Sequence, residues 1–142
     1  MMERSLPLLA CLTFAAAGCT HGPPAGPNLA KPYPVQGTIT FPSGTPLKGG
    51  MIYFVPTEAK TGGKIRYEAT SMVDAKGHYQ FGLNDQSGAP AGDYKVRIMP
   101  RDYMELPGSN SGRIPTRYRE AATTPLTITV QEGDNTLNFE LK

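Results

Sequence analysis

From residue 35 onward, apolar side chains return at every second position rather than every third or fourth. Val35, Gly37, Ile39 and Phe41 alternate with Gln36, Thr38 and Thr40, the pattern of a strand with one buried and one wet face. The β-rich run at residues 51–55, preceded by Gly49-Gly50 and ended by Pro56, predicts a second strand. A weaker alternation over residues 66–74, the turn Ala75-Lys76-Gly77, and then Tyr79, Phe81 and Leu83 spaced by His78, Gln80 and Gly82 predict a hairpin. Tyr94, Val96 and Ile98, opposed by Lys95 and Arg97, predict the fifth strand. Leu126, Ile128 and Val130 against Leu137, Phe139 and Leu141, joined by Glu132-Gly133-Asp134-Asn135, predict a closing hairpin. No window sustains a helical period. The expected fold is all-β, a seven-stranded antiparallel β-sandwich, with Phe41, Phe54, Phe81, Val96, Ile98, Ile128, Val130 and Phe139 forming one core between two sheets.

The residues before this domain follow other rules. Arg4 gives a short positive flank, residues 6–17 are apolar, and Ala16-Ala17-Gly18 places small residues directly before Cys19. The apolar stretch is too short to span a bilayer. Small residues followed at once by Cys resemble the lipobox of bacterial lipoproteins, in which the cysteine sulfur is acylated and becomes the new N-terminus. Cleavage before Cys11, after Leu8-Leu9-Ala10, would leave too short an apolar core for export, so Cys19 is the expected lipidation site. The alternative is a soluble exported protein with Cys19 as an incidental thiol. Acylation accounts better for a mature chain that holds a single cysteine. Residues 1–18 thus read as a lipoprotein signal peptide, residues 19–34 as a proline-rich tether carrying five prolines from Thr20 to Pro34, and residues 35–142 as the sandwich domain.

Composition narrows the classes of function. The 142 residues leave room for one domain, and 16 Gly with 14 Pro suit many short strands and turns. A formal net charge of +2, with Lys and Arg scattered, makes nucleic acid an unexpected partner. The membrane, reached through the lipid anchor, and envelope proteins or glycans are the expected ones.

Two stretches carry a resemblance. Val35-Gln36-Gly37-Thr38-Ile39-Thr40-Phe41 and Pro46-Leu47-Lys48-Gly49-Gly50-Met51-Ile52-Tyr53-Phe54-Val55-Pro56 resemble the opening of carboxypeptidase-regulatory-like domains, which have a transthyretin-like β-sandwich fold. Gly77-His78-Tyr79-Gln80-Phe81, Gly88-Ala89-Pro90-Ala91-Gly92-Asp93-Tyr94-Lys95-Val96 and Ile114-Pro115-Thr116-Arg117-Tyr118 look similar to small lipoproteins of this fold in planctomycete-type bacteria. His78 stands where the related pattern has Asp. The resemblance implies a fold and an envelope address, at the outer membrane or cell surface, more than an activity.

Catalytic sets known on related folds are incomplete here. His21 and His78 are the only histidines, too few for a histidine-rich hydrolase, for a ferric site of two Tyr and two His, or for a zinc peptidase. Gly108-Ser109-Asn110-Ser111-Gly112 has Asn110 where a nucleophile elbow needs serine, and reads as a flexible loop. Asn84-Asp85-Gln86-Ser87 with Asp93 reads as turn chemistry rather than a calcium site. The expectation is a chain without enzymatic activity, cofactor or metal. Residues 100–124 form the longest stretch without strand periodicity. Two readings stay open for it: a plug in which Ile114 and Tyr118 pin the loop to the sandwich, or a ligand surface formed by Arg101, Tyr103, Arg113, Arg117, Tyr118 and Arg119. Two functions stay open as well: a binding or adhesion module on the envelope, or a structural spacer or accessory subunit without a small-molecule ligand.

Overall fold

The two-residue periodicity becomes two sheets packed face to face. The structure, a computed structural model, describes residues 28–82, 88–101 and 106–142. Its strands are β1 (Pro32–Tyr33), β2 (Val35–Thr40), β3 (Met51–Pro56), β4 (Lys60–Thr61), β5 (Lys64–Ile65) and β6 (Ala69–Met72) in the first half. Then come β7 (His78–Phe81), β8 (Ala89–Pro90), β9 (Gly92–Met99), β10 (Thr127–Val130), β11 (Asn135–Thr136) and β12 (Phe139–Glu140). The larger sheet runs β10-β9-β3-β6, antiparallel throughout. In the smaller sheet β2 is central, with β7 antiparallel on one side and β11 and β12 parallel on the other. Because β11 and β12 keep one register along β2, they act as a single interrupted strand, and the two sheets together hold seven strands.

Inward positions are those the alternation marks. Val35 and Ile39 of β2, Ile52 and Phe54 of β3, Tyr79 and Phe81 of β7, and Tyr94, Val96 and Ile98 of β9 are all buried. Phe41, Val130 and Phe139 join them, while Ile128 is only partly covered because β10 is an edge strand. Phe54 sits at the centre, its ring 4.8 Å from Phe81, 5.8 Å from Tyr94, 6.2 Å from Tyr79 and 6.4 Å from Phe139 between centroids. Such tilted and edge-on aromatic contacts add to the burial of apolar area. The buried phenols keep their hydroxyls satisfied: Tyr79 donates to Leu137 O (2.5 Å) and Tyr94 to Pro90 O (2.6 Å). The second bond ties the start of a strand back to the backbone upstream, as a tyrosine corner does.

Pairing differs from the sequence reading at both hairpins. β10 pairs with β9 in the larger sheet, whereas β11 and β12 pair with β2 in the smaller one, so the last two runs are a sheet-to-sheet crossing and not a hairpin. Asn135 shapes the crossing: its side chain accepts from Gln131 N (2.9 Å) and donates to Gln131 O (2.9 Å) and Gly133 O (3.0 Å). Likewise β6 pairs with β3 and β7 with β2. Asp74 turns the chain between them by accepting from the backbone N–H of Lys76 (2.7 Å) and of His78 (2.9 Å). Two-residue periodicity specifies which face a side chain takes but not which strand lies alongside.

The domain also begins earlier than residue 35. Backbone bonds Ala30 N to Ile65 O and Ile65 N to Asn28 O, both 2.8 Å, and the pairing of β1 with β8 lay residues 28–33 on the sandwich. That end of the expected tether is therefore part of the fold. A further hairpin, β4–β5, turns on Gly62-Gly63, both at positive φ, which suits a two-residue primed turn. Leu83 and the stretch Asn84-Asp85-Gln86-Ser87 lie outside the described residues.

Gly37 is where the smaller sheet is tightest. A Cβ there would stand 1.8 Å from Leu137 O and 2.9 Å from the Tyr79 hydroxyl. The obstructing oxygen belongs to the backbone and cannot swing away, so Gly37→Ala should lose about 3 kcal/mol or more by denaturant unfolding. An Ala variant as stable as the parent would show that β12 does not close the sheet in solution. Burial also pushes the Tyr79 phenol well above the ordinary tyrosine range. The unfolded chain then releases that proton first as pH rises past about 10, so stability is complete below about pH 10 and falls above it. Tyr79→Phe should flatten that alkaline fall in chemical-denaturation midpoints taken at about pH 8 and about pH 11.

Candidate functional site

Among the described residues of the 100–124 stretch, Arg101, Arg113, Arg117, Tyr118 and Arg119 do not share one open face. Two short 3-10 turns, Ser111–Arg113 and Thr116–Tyr118, fold this stretch against the sandwich. Ile114 and Tyr118 are buried at 1% and 2% exposure, so the Tyr118 ring has no free face for a ligand. Its hydroxyl accepts from Lys142 N (2.9 Å) and donates to Lys142 O (3.1 Å), fastening the C-terminus. Arg119 spends its guanidinium on Ile114 O, at 3.2 Å from Nε and 2.8 Å from Nη2. Arg113 lies over the Phe41 ring (5.1 Å) and Arg117 over Tyr118 (5.1 Å).

Arg101 lines a different recess, with Gly49, Gly50, Met72 and Leu106, whereas Arg117 and Tyr118 line one with Leu126, Glu140 and Lys142. Tyr103 and Cys19 lie outside the described residues. The glycine- and serine-rich stretch read as flexible is anchored instead. Asn110 Oδ1 accepts from Lys48 N (2.7 Å), its Nδ2 donates to Pro46 O (3.0 Å), and Ser109 Oγ donates to Lys48 O (2.8 Å). Ser111 is fully buried. The plug is therefore the arrangement adopted by Ile114 and Tyr118.

A wide concavity lies elsewhere, on the outer face of the smaller sheet, where a groove of about 690 Å³ runs across β11 and the following Asn138, β2 and β7 to the rim of β6. Register builds it from cross-strand rows. Thr136, Gln36 and Gln80 stand side by side in one row, and Thr38 and His78 begin the next. Asn138 completes the second row through its side chain, whose Oδ1 accepts from Thr38 N (2.9 Å) and Thr38 Oγ1 (3.1 Å). That bond replaces a missing ladder bond where the strand is interrupted, and it fixes the amide. Ser71 Oγ donates to Gln80 O (2.9 Å) and closes the rim between the two sheet edges. His78 Nδ1 lies 3.7 Å from Asp74 Oδ2, with both side chains more than half exposed.

Amides and hydroxyls on paired strands give this surface its hydrogen-bonding groups. Among the described residues its lining holds one carboxylate, Asp74, and no Lys or Arg. Neutral polar ligands suit it, and anionic ones gain no cation there. Sequence reading passed over it because Gln36, Thr38, His78 and Gln80 are the polar half of an ordinary alternation. The transverse rows exist only once register is known. Among the described residues no group of three or more His, Cys, Asp or Glu side chains is placed to hold a metal ion.

The loop assignment has a direct consequence. Tyr118→Ala should lose about 3–5 kcal/mol and Tyr118→Phe about 1–2, measured by urea unfolding, since the first removes a buried ring and the second only the hydroxyl that bridges Lys142. Arg113→Ala and Arg117→Ala should each stay within about 1 kcal/mol. Similar losses for Tyr118→Ala and Arg117→Ala would refute the plug.

No family model matches the chain, and no curated protein matches it. Among solved structures, two crystal structures of BcpA, the major pilin subunit of Bacillus cereus, one of them a substituted form, are similar at 16% identity. Their alignments cover 78% and 79% of this chain, with TM-scores of 0.44 and 0.43. The chain spans only 29–30% of the length of that pilin.

Proposed function

We propose that this chain is an exported, membrane-anchored binding module, held by lipid at Cys19, whose β-sandwich of the carboxypeptidase-regulatory-like type takes up a neutral polar chain of the cell envelope, a glycan, in the groove across β11, β2 and β7. The observation that carries this reading is the groove itself: transverse rows of amide and hydroxyl groups on hydrogen-bonded strands. Sugar hydroxyls are matched by groups that both donate and accept, which is what Gln36, Gln80, Asn138 and Thr38 offer. Placement on strands rather than loops limits the side-chain freedom lost on binding. Among the described residues the groove exposes no free aromatic ring for stacking, since the one aromatic in its lining, Tyr79, is buried. Affinity per site would therefore be modest, and many lipid-anchored copies on one membrane would raise it by avidity.

The reading is tested with the full chain expressed in a bacterial host. Cys19→Ser should move the protein from the membrane to the soluble exported fraction. The purified domain should sediment with isolated cell-wall glycan, and Gln36→Ala with Gln80→Ala should weaken that co-sedimentation about fivefold or more with the melting temperature unchanged. Membrane retention of Cys19→Ser overturns the anchor. Equal sedimentation of parent and variant overturns the groove and leaves the reading as a spacer.

A further inference from the structure

The outer face of the larger sheet carries a second cross-strand row, and its chemistry is unlike that of the first. Antiparallel register sets Met51 of β3 opposite Met72 of β6 on one side and opposite Met99 of β9 on the other. All three point outward, because their neighbours Ile52 and Ile98 are buried and the alternation leaves Met51 and Met99 partly exposed and Met72 56% exposed. Of the six methionines in the chain, Met1 and Met2 open it and Met104 lies outside the described residues; the remaining three share this one row. Core filling, the usual task of methionine, does not account for them, since they lie on the solvent side. Elsewhere this face is mixed, with Thr70, Arg97, Lys95, Thr127 and Thr129 beside Tyr53 and Val55.

We propose that Met51, Met72 and Met99 form a three-thioether site for a soft monovalent cation, Cu(I). Thioether sulfur is a soft neutral donor, which selects Cu(I) over Zn(II), Mg(II) or Ca(II). Neighbouring strands lie about 4.8 Å apart, so the flanking methionines stand roughly 10 Å apart with Met51 midway, a span that three flexible thioether arms can close around one ion on rotamer change. Arg97 Nη1 donates to Met99 Sδ at 3.4 Å, a bond that Cu(I) would displace on binding that sulfur. The same guanidinium, stacked on Tyr53 at 4.3 Å and 3.7 Å from Glu68 Oε1, repels a divalent ion more than a monovalent one. Glu68 offsets part of that positive charge. The sequence reading weighed only nitrogen and oxygen ligands, and alternation says nothing of which residues align across strands.

The test uses the full chain with Cys11→Ser and Cys19→Ser, so that thiols do not compete, under anaerobic conditions against a colorimetric Cu(I) chelator. The parent should take up one equivalent of Cu(I), and one of Ag(I) by native mass spectrometry, while Zn(II) leaves it unchanged. Met51→Leu should weaken Cu(I) binding about tenfold or more, because the central sulfur is lost while side-chain volume is kept. Met72→Leu, at the most exposed position, should weaken it similarly with the melting temperature unmoved, which separates lost ligation from lost folding. No Cu(I) uptake by the folded parent overturns the proposal. So does undiminished uptake by the Met51→Leu, Met72→Leu, Met99→Leu triple variant.

Discussion

The contact of Phe54 with four aromatic rings from both sheets holds the sandwich together. Phe54 and Tyr94 come from the larger sheet, Phe81, Tyr79 and Phe139 from the smaller, and each lies within 6.4 Å of the central ring. Burial of aromatic area supplies most of the attraction between sheets, and the polar ends of Tyr79 and Tyr94 do not detract from it because both hydroxyls reach backbone carbonyls. The Tyr79 bond also fixes Leu137, and so the interruption between β11 and β12, over the bare backbone of Gly37. One aromatic cluster thus decides sheet spacing, the docking of the C-terminal strand and the need for glycine beneath it.

Much of the cationic character of the chain is used by the architecture. Arg66 is 5% exposed, its guanidinium 4.5 Å from the Tyr94 ring centroid, with Nη2 donating to Asp93 O at 2.7 Å. Gly92 makes room for it: a Cβ there would stand 2.6 Å from Cζ of Arg66. Arg119 caps Ile114 O, and Arg113 and Arg117 lie on aromatic rings. A guanidinium is suited to such sites because its faces stack while its edges donate. These arginines therefore build the structure rather than a shared anion-binding surface.

Two outer faces are left with distinct chemistry. That of the smaller sheet presents amides and hydroxyls in cross-strand rows, and that of the larger sheet presents aligned thioethers beside a paired arginine. Both rest on paired strands, so their geometry is set by the ladder and not by loop conformation. Met72, on the edge strand β6, borders the groove and belongs to the methionine row.

The sequence by itself determined the all-β class, the inward face of the main strands and the members of the core, because a side-chain period of two is a local property of an extended chain. It also contained the β4–β5 hairpin, legible in Gly62-Gly63 though passed over. Tertiary structure alone decided which strands are neighbours. Runs that read as hairpins, residues 66–83 and 126–141, place their two halves in different sheets, since a polar turn such as that at Asp74 or Asn135 can fold a chain back or carry it across the core. Register followed from that choice, and with it both candidate surfaces. Gln36 beside Gln80 and Thr136, or Met51 between Met72 and Met99, are contacts across long sequence separations, and alternation carries no information about which residue lies opposite.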